Sequence, residues 1–74
     1  MSDDRKDLIE ATIVRIMKSR KTCPHHELVS EVLKITSEIF NPNSNLIKSR
    51  IENLIEKEYI RRSDHDRTVY DYIS

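Results

Sequence analysis

The sequence contains no glycine and no tryptophan, and it has only two prolines and one cysteine. Glycine supplies the positive φ that primed hairpin turns need, so a protein of many short strands joined by tight turns is excluded. A β-sandwich or barrel is thereby ruled out, and the fold is expected to be mainly α. Phosphate loops and dinucleotide-binding turns, which are built on glycine, cannot be present either. The lone thiol, Cys23, has no internal disulfide partner and fits a reducing, intracellular setting. No run approaches the roughly 18 to 20 apolar residues of a membrane span, and Met1 to Glu10 is acidic and polar, unlike a signal peptide. A soluble protein with no membrane partner is expected. An excess of one charge is also missing: 13 basic residues balance 13 acidic ones. This is not the basic surplus of many nucleic-acid-binding domains, although a local patch remains open.

What is present is one small domain's worth of core. At 74 residues, 36% hydrophobic and 35% charged, the chain has room for a single domain spanning 1–74, and balanced charge does not oppose collapse. A core of this size supplies only about 3 to 5 kcal/mol, so the chain reads as a piece of something larger.

Three amphipathic segments follow one another. Asp3, Asp4 and Asp7 suit the positive end of a helix dipole. At 100° per residue, Leu8, Ile9, Thr12, Ile13, Ile16 and Met17 share one face, opposite Asp7, Ala11, Val14, Lys18 and Lys21. A first helix is predicted to about Lys21, because Pro24 cannot continue it and pushes Cys23 toward an extended conformation. Leu28, Val29, Val32, Leu33, Ile35, Ile39 and Phe40 mark a second helix from His25 to Ile39. Asn41-Pro42-Asn43-Ser44 is a loop in which Asn43 or Ser44 caps a third helix. That helix carries Leu46, Ile47, Ile51, Leu54 and Ile55 and ends near Lys57 or Glu58. The pattern then changes: Tyr59-Ile60-Arg61-Arg62 and Thr68-Val69-Tyr70-Asp71-Tyr72-Ile73 read as strands, joined at Asp64-His65-Asp66 by Asx-type bonds. Three helices followed by a two-stranded β-hairpin wing make a winged helix-turn-helix.

Winged helices often bind DNA, but the third helix carries Lys48, Arg50 and Lys57 against Glu52, Glu56 and Glu58, a sum of zero where phosphates demand a surplus. Cys23, His25 and His26 lie close together, yet no second Cys or His pair completes a four-ligand zinc site, and His65 stands alone. No metal is expected. Cys23 as a nucleophile would need a pocket and an orienting group that so small a helical domain hardly offers. Tyr70 and Tyr72, two apart on a strand, are read as core facing the third helix rather than as base-stacking residues. More informative is a run from Ala11 to His26 that holds Arg15, Lys18, Arg20 and Lys21 and no acid. Cations near a helix C-terminus are ordinary, but Lys18 sits opposite the isoleucine stripe with only Val14 and Ala11 beside it at one-turn spacing, so its amine is open to a partner.

Taken in order, these residues resemble the C-terminal winged-helix domain of cullins, the scaffold subunits of multisubunit ubiquitin ligases. The resemblance rests on Asp4-Arg5-Lys6, on Ile13-Val14-Arg15-Ile16-Met17-Lys18 with Arg20-Lys21, and on His25, Leu28-Val29, Glu31-Val32 and Phe40 with Pro42. It continues through Ile47-Lys48, Arg50-Ile51-Glu52, Leu54-Ile55-Glu56-Lys57-Glu58-Tyr59-Ile60 and Tyr70-Asp71-Tyr72, covering almost the whole chain. Departures from the family pattern fall at Cys23 or Pro24, at Ser49 and at Ser74, outside the acceptor segment. The resemblance implies an excised C-terminal domain of a longer scaffold, found in cytoplasm and nucleus.

It also implies that Lys18, flanked by Val14, Arg15, Met17, Arg20 and Lys21, accepts a ubiquitin-like neddylation modifier through an isopeptide bond. The implied partners are the modifier's conjugating enzyme, a RING-box subunit, a neddylation co-ligase and the signalosome deneddylase; no cofactor is implied. An ordinary lysine is neutral in only about one molecule in a thousand at pH 7. Desolvation and alignment must therefore come from the enzymes that act on it, and the domain is read as a substrate and scaffold, not an enzyme. Two other readings stand beside this one: a nucleic-acid binder using Lys48, Arg50, Arg61, Arg62 and Arg67, and a winged-helix interaction module whose lysine is never modified.

Overall fold

The computed structural model describes residues 4–74; Asp3 lies outside them. Helix α1 runs Asp4–Arg20, with Asp4 and Asp7 in its first turn and Lys18 and Arg20 in its last, the arrangement that complements the helix dipole. Its buried residues are Ile9, Thr12, Ile13, Ile16 and Met17, the face that periodicity selects. A short strand β1, Thr22–Pro24, leads into α2, His25–Thr36, and α3 spans Ser44–Glu56. Strands β2, Ile60–Arg62, and β3, Val69–Tyr72, close the chain.

Neither helix end near the sheet uses glycine. Lys21, at φ 72°, takes the left-handed position after α1, and its N–H donates to the Met17 carbonyl at 2.7 Å. Glu58, at φ 65°, does the same after α3: its N–H bonds the Ile55 carbonyl while Tyr59 N–H reaches back to Leu54, both at 3.0 Å. These are the two common left-handed helix caps, filled here by residues with a Cβ. At the other end of α3, Asn43 Oδ1 accepts from Leu46 N–H at 2.7 Å, which is the predicted cap.

The second helix is shorter than its apolar pattern predicts. It stops at Thr36, whose hydroxyl donates to the Val32 carbonyl at 2.8 Å and whose own carbonyl receives both Ile39 and Phe40 N–H. The chain thus turns three residues before Ile39. Buried Leu28, Val32 and Thr36 form the inner line of α2, leaving Leu33, Ile35 and Ile39 of the apolar pattern exposed, beyond the core's edge because Thr36 takes the central position.

The wing also differs. The predicted β2–β3 hairpin is present, but β1 joins it on the far side of β3, making a three-stranded antiparallel sheet in the order β1-β3-β2. Cys23 pairs with Tyr70 and Pro24 with Val69 on one side, and Arg61 pairs with Asp71 on the other. Strand β1 lies at the edge, where a proline without an N–H is tolerated. The hairpin turn is the Asx turn predicted: Asp66 Oδ1 accepts from the N–H and the hydroxyl of Thr68 at 2.9 and 2.7 Å. One core unites the helices and sheet, built from Ile9, Ile13, Ile16, Met17, Cys23, Leu28, Val32, Ile47, Ile51, Leu54, Ile60 and Tyr70. Burial at about 25 cal/mol per Å² of apolar surface is what fixes α1 against α2 and α3.

Candidate functional site

The end of α1 is held from beneath and left open above. Met17 is fully buried and Ile16 nearly so, which anchors the last turn to the core, while Val14 packs half-buried against it. Lys18, on the opposite side of the helix, is exposed. Because α1 gives way directly to β1, the turn that carries Lys18 is stitched at both ends: by the helix behind it, and by Tyr72 N–H donating to the Lys21 carbonyl at 2.7 Å.

The cations around Lys18 fall into different environments. Arg20 is paired with Glu27 of α2 at 3.0 Å, both side chains well exposed. Lys21 Nζ lies 5.2 Å from the centroid of the Tyr72 ring, within cation–π range. Arg15 lies on the rim of an open groove between α1 and α2 that Ile16, Ser19, Glu31 and Ile35 also line. Among the described residues, no hydrogen bond or ion pair engages the side chain of Arg15 or Lys18. The patch is therefore less positive than its sequence suggests, since Glu27 and Glu31 face it from the neighbouring helix. Sequence reasoning missed these two acids and Tyr72, because they lie 9, 13 and 54 positions from Lys18 and only the packing of α2 and β3 brings them near.

The other candidates are structural. Cys23 is fully buried in the core, and burial pushes its thiol up from the ordinary value, which makes it a poor nucleophile. His25 is half-buried and shares a 2.7 Å hydrogen bond with the Tyr70 hydroxyl through Nδ1; burial also raises the Tyr70 phenol. Among the described residues, no group of three or more His, Cys, Asp or Glu side chains is arranged to hold a metal ion. No helix among them is long and apolar enough to cross a membrane.

Of the five cations in the nucleic-acid reading, two are tied into the fold. Arg50 Nη1 donates to Glu10 at 2.8 Å, with both side chains about one-fifth exposed. Arg62 pairs with Glu52 and lies over the Tyr70 ring, and that pairing holds the Glu52 carboxyl below the usual range. Arg61 stands 3.9 Å from Asp64, while Lys48 and Arg67 are exposed. Carboxylates beside Arg50 and Arg62 repel the phosphates these residues would have to meet.

Comparison with known proteins agrees with this geometry. The family model described as the cullin protein neddylation domain matches residues 4–66. Cullin-3 of Dictyostelium discoideum is 54% identical over all 74 residues, Cullin-3 of Caenorhabditis elegans 50%, and Cullin-3A of Arabidopsis thaliana 46%. The chain spans about a tenth of the length of these curated relatives. Among solved structures it is similar to the Cdc53 WHB chain of Dcn1(P)-Cdc53(WHB), from a dual E3 mechanism for Rub1 ligation to Cdc53. The TM-score is 0.90 at 37% identity, covering 96% of this chain and 81% of that one. A family match over residues 4–66, half-identical relatives along the full chain and a shared winged-helix fold show that this chain belongs to the cullin family, as its neddylation domain.

Proposed function

We propose that Lys18 is the residue that accepts the ubiquitin-like modifier, and that the domain acts as substrate and scaffold, not as catalyst. The observation that carries this reading is the exposed Lys18 amine, engaged by no hydrogen bond or ion pair among the described residues, on a turn anchored by buried Met17. In the reaction, the neutral amine attacks the thioester carbonyl joining the modifier's C-terminal glycine to the conjugating enzyme's cysteine. The C–N bond forms, the C–S bond breaks, the thiolate leaves, and the amine's surplus proton passes to solvent or to the enzyme. No described side chain hydrogen-bonds the Lys18 amine to take that proton, so the conjugating enzyme and a RING-box partner provide alignment and desolvation. The anchored turn contributes by holding the Lys18 backbone in place on the surface.

A co-ligase is the partner best supported, because the similar Cdc53 WHB structure is a complex with Dcn1. The signalosome deneddylase would reverse the mark, in cytoplasm and nucleus. Conjugation would activate the ligase by shifting the domain between docked and released states, which requires that the modified form make better contacts in one of them.

The test is reconstituted conjugation with activating enzyme, conjugating enzyme and RING partner, with the isopeptide mapped by mass spectrometry. A modifier remnant on Lys18, lost in Lys18→Arg, supports the reading. Equal modification of Lys18→Arg at another lysine, under conditions that modify wild type, overturns it.

A further inference from the structure

Lys18, in the last turn of α1, and Lys21, just beyond it, are three residues apart, so a thioester brought to Lys18 comes close to a second amine. We infer that Tyr72 is a positioning residue that directs conjugation to Lys18 by holding the competing Lys21 amine on its ring. This rests on Lys18 being the acceptor, as proposed above, and adds a contact that disfavours its neighbour.

Both lysines are exposed, so accessibility alone does not separate them. Their backbones do. Lys18 is helical, whereas Lys21 has left the helix at φ 72°, and its side chain no longer follows the i, i+3 row that would place it above Lys18. Its N–H is tied to Met17 and its carbonyl to Tyr72 N–H, each at 2.7 Å. This fixes the direction in which the side chain departs, and Nζ comes to rest 5.2 Å from the Tyr72 ring centroid. The ring itself is held: it packs half-buried against the core, and Tyr72 pairs with Ile60 in the centre of the sheet.

The chemistry follows from the contact. The negative π-face attracts the charged ammonium, and an ammonium has no lone pair with which to attack a thioester. Both amines must be neutral to react, but only Lys21 must also leave the ring. At an exposed site the cation–π contact alone disfavours Lys21 by about two- to fivefold. The left-handed backbone adds geometric exclusion by aiming the amine at the sheet.

The experiment measures where the isopeptide forms. Position 72 is occupied in turn by tyrosine, phenylalanine and phenylalanines with one, two and three ring fluorines, which weaken the π-face with little change in shape. Each is combined with Lys18→Arg and conjugated in the reconstituted reaction, and Lys21 product is quantified by mass spectrometry. Phenylalanine should match tyrosine, and Lys21 product should then rise with each fluorine to about two- to fivefold. Tyr72→Leu, checked for folding by thermal melting, should reach at least the same level. In chains that keep Lys18, the ratio of Lys21 to Lys18 product should climb by the same factor. A merely structural role for the ring would slow both sites together and leave that ratio unmoved. If the unaltered chain is modified somewhere other than Lys18, the acceptor assignment fails and this inference with it. If it is modified at Lys18 but Lys21 product is flat across the fluorinated series, the inference alone is overturned.

Discussion

Helix α1 uses its charged residues in opposite ways along its length. Midway, Glu10 receives Arg50 at 2.8 Å and Asn53 at 2.9 Å, with Lys57 Nζ at 3.9 Å, and its side chain is only 19% exposed. About one to two turns further on, Arg15 and Lys18 are exposed and engage no such partner among the described residues. The first cluster joins α1 to α3 and belongs to the fold. The second spends nothing on internal contacts and is available to something else. A cation's role in so small a domain is thus decided by whether another element reaches it, because partnering costs the mobility that a nucleophile needs.

Several substitutions would break or sharpen that contrast. The largest effect is expected from Lys18→Arg, which should reduce conjugation by at least about a hundredfold while leaving unfolding in urea within about 0.5 kcal/mol, as for an exposed side chain with no partner. Glu10→Ala should do the reverse. It leaves Arg50 partly buried and unpaired and removes the acceptor of Asn53, which should cost about 2 kcal/mol in the same unfolding assay, with Lys18 conjugation of the folded fraction unchanged. Loss of conjugation in folded Glu10→Ala would erase the distinction between the two regions.

Smaller effects probe the sheet that secures the acceptor turn. Tyr70→Phe keeps the buried ring but removes the hydroxyl that bonds His25; thermal melting should show a loss of about 1 kcal/mol. Glu58→Gly relieves the Cβ at φ 65°. Glycine's greater unfolded-state entropy offsets part of the gain, so stability should rise by about 0.5 kcal/mol. The least effect concerns acid. Because Arg62 holds the Glu52 carboxyl below its ordinary value, this pair stabilises the fold above the unfolded carboxylate value and ceases to do so as pH falls through the lower, folded one. Wild type should therefore lose stability to acid slightly more steeply than Arg62→Gln over the range from about pH 5 downward, read from melting temperatures at successive pH values. Exposure of both side chains keeps this difference small.

The helices were legible because periodic burial is a local code. Ile9, Ile13, Ile16 and Met17 fall inside just where 100° steps put them, and Asn43 caps α3 through its own side chain. Strand β1 was not legible: Thr22, Cys23 and Pro24 carry no alternating pattern, and their extended form is completed by β3, 45 to 49 residues away in register. The end of α2 was misjudged for a related reason. Ile35 and Ile39 continue the apolar period, but only the packed structure shows that Thr36 takes the inner position and that the chain turns there.

The absence of glycine illustrates where such reading stops. It correctly excluded a protein of many tight hairpins, yet two left-handed helix caps exist all the same, at Lys21 and Glu58. Surrounding hydrogen bonds and packing supply the free energy that a Cβ in that region costs.

By itself, then, the sequence determined three helices, a closing hairpin, the inward stripe of α1 and the outward direction of Lys18, since each follows from the spacing of residues within one element. Tertiary structure alone decided which cations are partnered, that Glu27 and Glu31 temper the patch, and that the Lys21 ammonium lies over the Tyr72 ring. Those contacts join residues distant in the chain, and hydrophobic burial of the shared core, not any local preference, is what brings them within reach.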